Sequence, residues 1–479
     1  MPKDSPEPMS LPLLDPIPTA DEVLFLPLGG VGEIGMNLAL YGHDGAWLMV
    51  DLGITFAGEA FPDYDVLMAD PGFIERHRSR LVGLVLTHAH EDHVGALPYL
   101  WRRLRCPVYA TPFTAAVATY KLAAAGIQGV PLNEVPLGAR LAVGPFAVEL
   151  IGLTHSIPEP NGVLIGTPTG AVYHTGDWKL DEDPRLGLPY DRARLQSLAS
   201  EPLMAMVCDS TNAVVEGHSG SEGSLRAGLR EAVEGCTGRI LVGAFSSNIA
   251  RLATVARVAM DTGRRFGVLG PAMQRMLGFA RQTGYWPQDL PEPVEPRHLA
   301  LLPPQEVLAA CTGSQGEPTA VLARLAADSH RDLMLDPGDT VIFSSRIIPG
   351  NEGAVERVQT RLRALGVHLI TDHDHLVHVS GHPAREELEQ LYRWVRPPVA
   401  IPVHGTPRHL AANATIAQGC GVDRQLHARN GDVCRLTRTG GEIGAEVIGR
   451  VPSGRLALRE HGLEPVPAQI LAAMREHGR

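Results

Sequence analysis

The segment from Thr87 to His93 constrains this chain more than any other feature, because it places three histidines and an aspartate in the spacing H-x-H-x-D-H. An apolar, β-rich run over 81–86 leads into it, and a helix-like segment over 95–104 follows. A strand that ends here delivers its next residues to one edge of a sheet, where imidazole and carboxylate groups converge. Zn²⁺ and similar cations accept these ligands, so the spacing and its context favour a metal site over a histidine-rich surface loop.

Three further apolar runs end in a histidine or a carboxylate, at His155, Asp177 and His404. Taken alone, each is more often a satisfied histidine or a turn aspartate than a ligand. Together with the first motif they supply five histidines and two aspartates, a set that suits two cations sharing one carboxylate. We assign the first ion to His88, His90 and His155, the second to Asp92, His93 and His404, and the bridge to Asp177.

Other short motifs follow in order along the chain. Segments that carry them span 28–37, 155–158, 174–179, 208–213, 245–249, 312–318, 348–352, 378–382 and 402–405. With these motifs the chain resembles the metallo-β-lactamase superfamily and, more closely, its β-CASP nuclease branch, in particular the ribonuclease J family. The metal motif alone marks only the superfamily, whereas G-S-Q-G-E-P, P-G-N-E and H-V-S-G-H in that order are much more specific. The resemblance runs from about residue 24 to about residue 458.

The resemblance implies an α/β fold, namely an αββα metallo-β-lactamase sandwich with an inserted β-CASP domain whose parallel sheet is flanked by helices. The sequence pattern agrees, because short β-like runs up to about residue 202 give way to regular strand-helix alternation. In that second part the pattern predicts strands over 240–245, 265–270, 306–312 and 340–344, and helices over 248–261, 271–283, 317–327 and 352–365. We therefore divide the chain into a flexible N-terminal arm (1–20), a first sandwich part (21–204), the β-CASP domain (205–370), a completing sandwich part (371–458) and a short C-terminal tail (459–479).

The resemblance also implies the chemistry, which is cleavage of RNA phosphodiester bonds by metal-activated hydroxide. The expected enzyme is a 5′-to-3′ exonuclease on 5′-monophosphorylated, single-stranded RNA in rRNA processing and mRNA decay, with endonuclease activity left open. Its expected catalytic residues are Asp92, Asp209 and His382. By this resemblance Asp209 orients metal-binding histidines, and His382 faces the scissile phosphate and protonates the leaving oxygen. The alternative for His382 is a structural histidine that bonds a neighbouring carbonyl.

By the same resemblance, substrate phosphates are held by one short segment, through His378, Ser380, Gly381 and His382. Two features outside it stay open. Six arginines (251, 257, 264, 265, 275 and 281) form either an RNA-facing patch or solvated helix faces. The glycine-rich strand exit over 312–316 is either a phosphate-binding loop or a tight turn.

Composition sets limits that agree with an enzyme of this kind. The length of 479 residues predicts two to four domains, and 44% hydrophobic residues suffice for large cores. We expect a cytoplasmic protein, because no apolar run could span a bilayer, the acidic, proline-rich N-terminus is not a targeting signal, and the six cysteines form no C-x-x-C pairs. The net charge of −11 argues mildly against nucleic acid, although it is a weak test for an enzyme that holds its substrate partly through metal ions.

We expect two divalent ions per chain, with Zn²⁺ favoured and Mn²⁺ also accepted by such ligands. Two other functions were compared, a small-molecule hydrolase (lactonase or thioesterase type) on the same dimetal scaffold and a catalytically silent RNA-binding subunit. The long insert between Asp177 and His404 argues against the first, and the complete ligand set argues against the second. Members of the family usually carry a further C-terminal domain tied to assembly, so for this chain we expect one terminal helix and a weakened homodimer.

Overall fold

A computed structural model of the chain describes residues 11–58, 61, 63–348 and 350–476. Its strands are β1 (Glu22–Gly29), β2 (Leu38–His43), β3 (Ala46–Val50), β4 (Ile54–Phe56), β5 (Val66–Ala69), β6 (Leu81–Val85), β7 (Val108–Ala110), β8 (Leu132–Glu134), β9 (Arg140–Val143), β10 (Phe146–Gly152), β11 (Asn161–Thr167), β12 (Gly170–His174), β13 (Leu203–Asp209), β14 (Ile240–Gly243), β15 (Arg265–Leu269), β16 (Val307–Cys311), β17 (Thr340–Phe343), β18 (His368–Ile370), β19 (Val399–Val403), β20 (Arg424–Gln425), β21 (Asp432–Thr439), β22 (Glu442–Arg450), β23 (Arg455–Arg459) and β24 (Gly462–Pro465).

The α-helices are α1 (Gly72–Arg76), α2 (Glu91–Val94), α3 (Leu97–Leu104), α4 (Pro112–Ala124), α5 (Arg192–Ser197), α6 (Glu222–Glu234), α7 (Ile249–Asp261), α8 (Pro271–Gln282), α9 (Pro296–Leu299), α10 (Val321–Ala326), α11 (Glu352–Ala364), α12 (Arg385–Val395), α13 (Pro407–Gly419) and α14 (Ala468–Glu476). Short 3-10 turns lie at Arg78–Arg80, Leu198–Ser200 and Pro304–Glu306.

Two large sheets form a sandwich. One has eight strands in the order β22-β21-β1-β2-β3-β6-β7-β8, and the other has seven in the order β20-β19-β13-β12-β11-β10-β9. One hydrophobic cluster joins them, with Phe25 and Val50 from the first sheet and Val148, Val163 and Ile401 from the second. Side chains alternate between the two faces of a strand, so the inner faces of both sheets share this core.

Helices cover the outer faces of the sandwich. On the eight-stranded side, α3 buries Leu97, Leu100 and Leu104, which are spaced three and four residues apart and so lie on one face of the helix. On the seven-stranded side, α12 buries Leu388 and Leu391 in a cluster that includes the outward-facing residues of β12 and β13. The layers therefore follow the predicted order of helix, sheet, sheet and helix.

The residues between the two parts of the sandwich form a five-stranded sheet in the order β15-β16-β14-β17-β18, with every neighbouring pair parallel. We call the region from β14 to β18 the insert. Its sheet is covered by α7 and α8 on one face and by α10 and α11 on the other. The predicted strand-helix alternation is confirmed. The helix predicted over 317–327 begins only at Val321, because the preceding residues turn at Gly313 and Gly316, whose φ angles are 110° and 77°.

The predicted start of the inserted domain at residue 205 is wrong. It falls inside β13, which lies in the seven-stranded sheet and pairs in parallel with β12 and β19. All seven residues of β13 are buried. A strand that is apolar on both faces has the same sequence pattern in the parallel part of either sheet. The pattern therefore could not show which sheet contains β13.

The predicted N-terminal arm is bound where the structure describes it. Residues 1–10 lie outside the described residues. Residues 11–20 are tied to the sandwich, because Leu14 N donates to Arg450 O (2.7 Å) and the backbone of Pro18 and Thr19 accepts from the turn between β2 and β3. The expectation of a loose arm is therefore wrong for this stretch, whose hydrogen bonds sequence composition does not reveal.

A small four-stranded sheet, in the order β24-β23-β5-β4, was not predicted. It joins the predicted tail to the sandwich, because β23 pairs with β5 and the tail contributes β24 and α14. Met474 on α14 is buried in a cluster with Met36 and Leu67. Among the residues described, no helix combines the length and apolar character needed to cross a lipid bilayer.

Candidate metal centre

Four strands of the seven-stranded sheet end at the same edge. Strands β12, β13 and β19 are mutually parallel, and β10 runs the same way because both it and β12 are antiparallel to β11. His155, Asp177 and His404 follow three of these strands, and Asp209 ends the fourth. Strand β6 of the other sheet brings the H-x-H-x-D-H motif to the same place, where the backbone N–H of Asn161 donates to Thr87 O. Carboxyl ends of strands are a common place for ligand sites in α/β proteins.

The first predicted donor group is assembled. His90 Nδ1 lies 3.1 Å from His88 Nε2 and 3.1 Å from His155 Nε2. Asp177 Oδ2 completes the group at 4.0 Å from His88 Nε2 and 3.9 Å from His155 Nε2. Three imidazoles and one carboxylate facing a common point are a donor set that fits a divalent transition metal.

The second predicted donor group lies beside the first and shares Asp177. Asp92 Oδ2 is 3.1 Å from His404 Nε2 and 3.4 Å from His93 Nε2. Asp177 Oδ2 is 3.2 Å from His93 Nε2. The same carboxylate oxygen thus belongs to both groups, in the bridging position that the sequence predicts for it.

Hydrogen bonds at Nδ1 orient the histidine rings whose Nε2 atoms face the donor groups. His93 Nδ1 donates to Asp51 Oδ2 (2.7 Å), and His155 Nδ1 donates to the carbonyl of Gly381. Both acceptors take a hydrogen bond from Nδ1, so each ring turns its Nε2 atom toward the donor group.

The rings of His88 and His404 are fixed in the same way, through threonines. His404 Nδ1 lies 2.7 Å from Thr211 Oγ1, whose proton goes to Asp209 Oδ1. His88 Nδ1 lies 3.0 Å from Thr87 Oγ1, whose proton goes to Asp51 Oδ2. Each threonine oxygen therefore accepts from the histidine, which again turns Nε2 toward the donor group.

Sequence reasoning missed Asp51 and Thr211. Asp51 directly follows the apolar strand β3, the same signal that singled out the residue after β19, and its left-handed backbone (φ 62°) marks a constrained position. Thr211 carries no comparable signal, because a threonine in a polar loop is common.

The electrostatics of the centre suit cation binding. Burial alone would raise the pKa of Asp92, but the charge of His93 and hydrogen bonds from His404 and His93 hold it well below its usual range. Burial lowers the pKa of His90 to about 4, so this ring is neutral near pH 7. His93 and His404 differ, because burial opposes their charge but Asp177 and Asp92 raise the pKa of both rings well above the usual value. Ionised carboxylates and neutral imidazoles are the forms that bind metal, so a cation would displace a proton from each of these two rings.

His382 and Asp209, both predicted from the family resemblance, meet beside the two donor groups. His382 Nδ1 donates to Asp209 Oδ2 (2.8 Å) and lies 3.9 Å from Asp177 Oδ2. Burial opposes a charge on His382, but the carboxylates of Asp209 and Asp177 raise its pKa above the usual value. Its side chain is 21% exposed, whereas that of Asp209 is fully buried. The His382 ring therefore forms its hydrogen bond with a carboxylate, whereas the alternative of a structural histidine expected a bond to a neighbouring carbonyl.

The predicted phosphate-binding segment lies next to this pair. Ser380 Oγ accepts from Asn212 Nδ2 (2.7 Å) and from the backbone N–H of His382 (3.2 Å). Gly381 lies so close to His155 that a Cβ atom here would be 2.7 Å from the imidazole ring. His378 stands further back, with Nδ1 3.4 Å from an Arg251 nitrogen. The structure thus brings all the predicted site residues to one region.

Comparisons with known proteins agree with this architecture. Three family profiles match the chain, described as "Metallo-beta-lactamase superfamily" over residues 32–224, "Ribonuclease J, beta-CASP domain" over 237–362 and "Zn-dependent metallo-hydrolase RNA specificity domain" over 367–421. The chain is also similar to a solved structure of a protein of unknown function from Enterococcus faecalis V583, with a TM-score of 0.57, 15% identity and coverage of 86% of this chain and 99% of that one. At that identity the likeness concerns the fold alone.

Curated relatives share much more sequence. The ribonuclease J of Sinorhizobium meliloti is 44% identical over 445 residues, which cover 91% of this chain and 77% of that protein. The ribonuclease J of Thermus thermophilus is 35% identical over 470 residues, covering 95% of this chain and 80% of that protein. These matches confirm the predicted sandwich with its β-CASP insert, and the superfamily they indicate binds divalent metal. The chain belongs to the ribonuclease J family, within the β-CASP branch of the metallo-β-lactamase superfamily.

Proposed function

We propose that this protein is a metal-dependent ribonuclease that degrades 5′-monophosphorylated RNA from its 5′ end, in RNA processing and decay. The observation that carries the proposal is the sharing of Asp177 by two adjacent donor groups, beside the His382–Asp209 pair. Family membership supports RNA as the substrate, since the relatives are ribonucleases by name. The six unpaired cysteines fit action in the cytoplasm, where thiols stay reduced.

In this proposal the first donor group would hold one divalent ion and the second would hold another, with Asp177 available to both groups. Imidazole and carboxylate favour Zn²⁺ and also accept Mn²⁺. When bound, such ions lower the pKa of coordinated water and offset negative charge on phosphate oxygens. The buried protein side chains fix the positions of these donors before substrate arrives.

His382 is the proposed proton donor to the leaving oxygen. Its Nδ1 proton is committed to Asp209, so Nε2 is the atom that delivers a proton to substrate. Among the described residues none forms a hydrogen bond with that Nε2 atom. The carboxylates of Asp209 and Asp177 raise the pKa of His382 against the effect of burial, which favours the protonated ring that a general acid needs.

The remaining residues of the segment from His378 to His382 are the proposed phosphate cradle. Ser380 Oγ and the backbone at Gly381 lie on the sandwich side, where the insert faces the metal centre through Arg346 and Asn212. A terminal phosphate held here would lie beside His382, whose Nδ1 is 3.9 Å from Asp177 Oδ2, so the first internucleotide bond would lie near Asp177. Such an arrangement accounts for stepwise removal of nucleotides. Internal cleavage is open to RNA that enters the same region without a bound end.

The test follows 3′-end-labelled RNA bearing either a 5′-monophosphate or a 5′-triphosphate, with Zn²⁺ or Mn²⁺ added. The proposal predicts stepwise shortening of the monophosphorylated RNA from its 5′ end. Asp92→Ala or His93→Ala should abolish it, because each removes a ligand of the second ion. Glu91→Gln is the matched control, since Glu91 lies within the same motif but is exposed and bonded to Lys121. A fully active Asp92→Ala variant, or turnover confined to lactone or thioester substrates, would refute the assignment.

A further inference from the structure

Arg346 lies in the loop after β17, at the carboxyl edge of the insert sheet. The side chain of Gln315 fixes the backbone of this loop, because its Nε2 donates to Arg346 O (2.9 Å) and its Oε1 accepts from the backbone N–H of Ile348 (2.8 Å). The glycine-rich strand exit that carries Gln315 therefore supports the neighbouring loop. Arg346 is thus an exposed side chain on a fixed backbone.

The Arg346 side chain reaches from the insert to the proposed phosphate cradle. Its Nη1 donates to Asn212 Oδ1 (3.3 Å), and Asn212 Nδ2 donates to Ser380 Oγ (2.7 Å) and to His382 O (3.2 Å). One amide thus separates the guanidinium from the segment that carries the proposed proton donor.

Two buried cations near this segment are already neutralised. Arg251 is fully buried and pairs with Glu222 at 2.8 Å, and Lys179 is buried and pairs with Asp181 at 3.0 Å. In the described part of the chain, no carboxylate oxygen lies within ion-pair distance of Arg346. Arg346 is therefore a cation that faces this region without a paired anion.

Apart from His382, whose charge is already paired with Asp209, the groups of this segment bring no charge of their own. Ser380 offers a hydroxyl and Gly381 its backbone. Burial, together with the charges of Arg251 and Arg346, holds the pKa of His378 well below its usual value, so this ring is neutral. A terminal phosphate carries a charge of roughly −1.5 to −2 at pH 7, and neutral donors beside one imidazolium that is already paired with Asp209 leave most of that charge uncompensated.

We propose that Arg346 binds the terminal 5′-monophosphate of the RNA and so sets the preference for 5′-monophosphorylated ends. The inference rests on the proposed function, because it assumes an RNA substrate whose 5′ end enters the cradle. A guanidinium suits this role, since two parallel N–H groups can engage two phosphate oxygens at once. A 5′-hydroxyl end presents no such group to Arg346.

The experiment measures kcat/KM for one RNA sequence with a 5′-monophosphate or a 5′-hydroxyl, using the metal-loaded full chain. Arg346→Gln should lower kcat/KM on the monophosphorylated RNA by about 10- to 100-fold, the usual effect of losing a charge-assisted hydrogen bond. On the 5′-hydroxyl RNA it should change the value by less than about threefold. Arg346→Lys should fall between, because it keeps the charge and loses the paired N–H geometry.

Arg363→Gln is the control, since Arg363 is an exposed arginine at the far end of the helix that follows this loop. This variant should leave kcat/KM unchanged on both RNAs, and all variants should have the melting temperature of the wild type. Equal losses on the two RNAs, or no loss with Arg346→Gln, would overturn the inference while wild-type cleavage still upholds the proposed function. A wild type that does not cleave RNA would instead defeat the proposed function itself.

Discussion

Within the metal centre, Asp209 acts through two neighbours at once. One carboxylate oxygen accepts from His382 Nδ1, and the other accepts from the N–H and hydroxyl of Thr211, which in turn holds His404. A single buried carboxylate thus orients both the proposed proton donor, His382, and a proposed metal ligand, His404. Its contribution to His382 is electrostatic as well as geometric, because its charge raises the pKa of that imidazole.

Asp209→Asn should therefore move the alkaline limb of kcat to lower pH. The proposed general acid works only when His382 is protonated, so the rate falls as pH rises through its pKa. Removing the negative charge lowers that pKa, and the ring then loses its proton at lower pH. At neutral pH kcat should fall by about 10- to 100-fold, part of the usual contribution of a general acid. The measurement is kcat against pH with both metal sites filled.

Asp44→Asn is the control for this prediction, because Asp44 is exposed in the turn between β2 and β3, at the opposite end of the strand that leads to Asp51. It should leave the pH profile unchanged. An Asp209→Asn enzyme with the wild-type alkaline limb would show that His382 is not the titrating acid.

At the residue scale, the sequence predicted the proposed ligands because each follows an apolar strand or belongs to a dense motif. Thr211 could not be found this way, since its role depends on which proton it donates within the folded site. Asn37 could not be found from the sequence either, because its side-chain amide nitrogen lies 3.1 Å from His93 Nε2 only after β2 and α2 are packed together. Such partners are defined by tertiary structure and not by local pattern.

At the scale of elements, a buried ion pair joins the insert to the segment that carries the phosphate cradle. Arg251 on α7 pairs with Glu222 at the start of α6, and it donates to Ser344 O (2.6 Å) and Val379 O (3.3 Å). Both charged side chains are almost completely buried. Sequence left open whether Arg251 belonged to an RNA-facing patch, and its burial excludes that role.

Arg251→Met should lower the free energy of unfolding by about 3–5 kcal/mol, because it leaves Glu222 buried without a partner. The double variant Arg251→Met, Glu222→Leu should recover much of the loss, since apolar groups of similar volume can replace a buried pair. Unfolding in urea measures both.

The matched control is the Arg226–Asp261 pair, which joins the same two helices at the surface, with the arginine side chain 44% exposed. Arg226→Met should cost at most about 1 kcal/mol. Equal effects of Arg251→Met and Arg226→Met would contradict the view that burial makes the inner pair different.

The elements themselves were largely predictable where strand and helix patterns were local. Strands β14 to β17 and helices α7, α8 and α11 lie within one or two residues of their predicted bounds at nearly every end. The four-stranded sheet was missed because β5 and β23 are far apart in sequence, and neither strand signals its partner. The assignment of β13 failed for the related reason that its partners, not its composition, decide which sheet it joins.

At the scale of the whole molecule, the insert separates two parts of one sandwich along the chain without separating them in space. Strand β19 returns after the insert and lies beside β13, which brings His404 to the ligands from the first part. The insert then lies against this edge, and Arg346 spans the interface to Asn212. A metal centre at the boundary of two such bodies is open to a chain substrate and suits a nuclease.

Seven side chains from both parts of the sandwich form the two donor groups that we propose to hold two cations around Asp177. Anomalous X-ray scattering at the zinc edge, from crystals grown with Zn²⁺, tests this proposal most directly. We expect two adjacent peaks, one bound by His88, His90 and His155 and the other by Asp92, His93 and His404, with Asp177 in contact with both. A single peak, or a second peak away from Asp177, would contradict it.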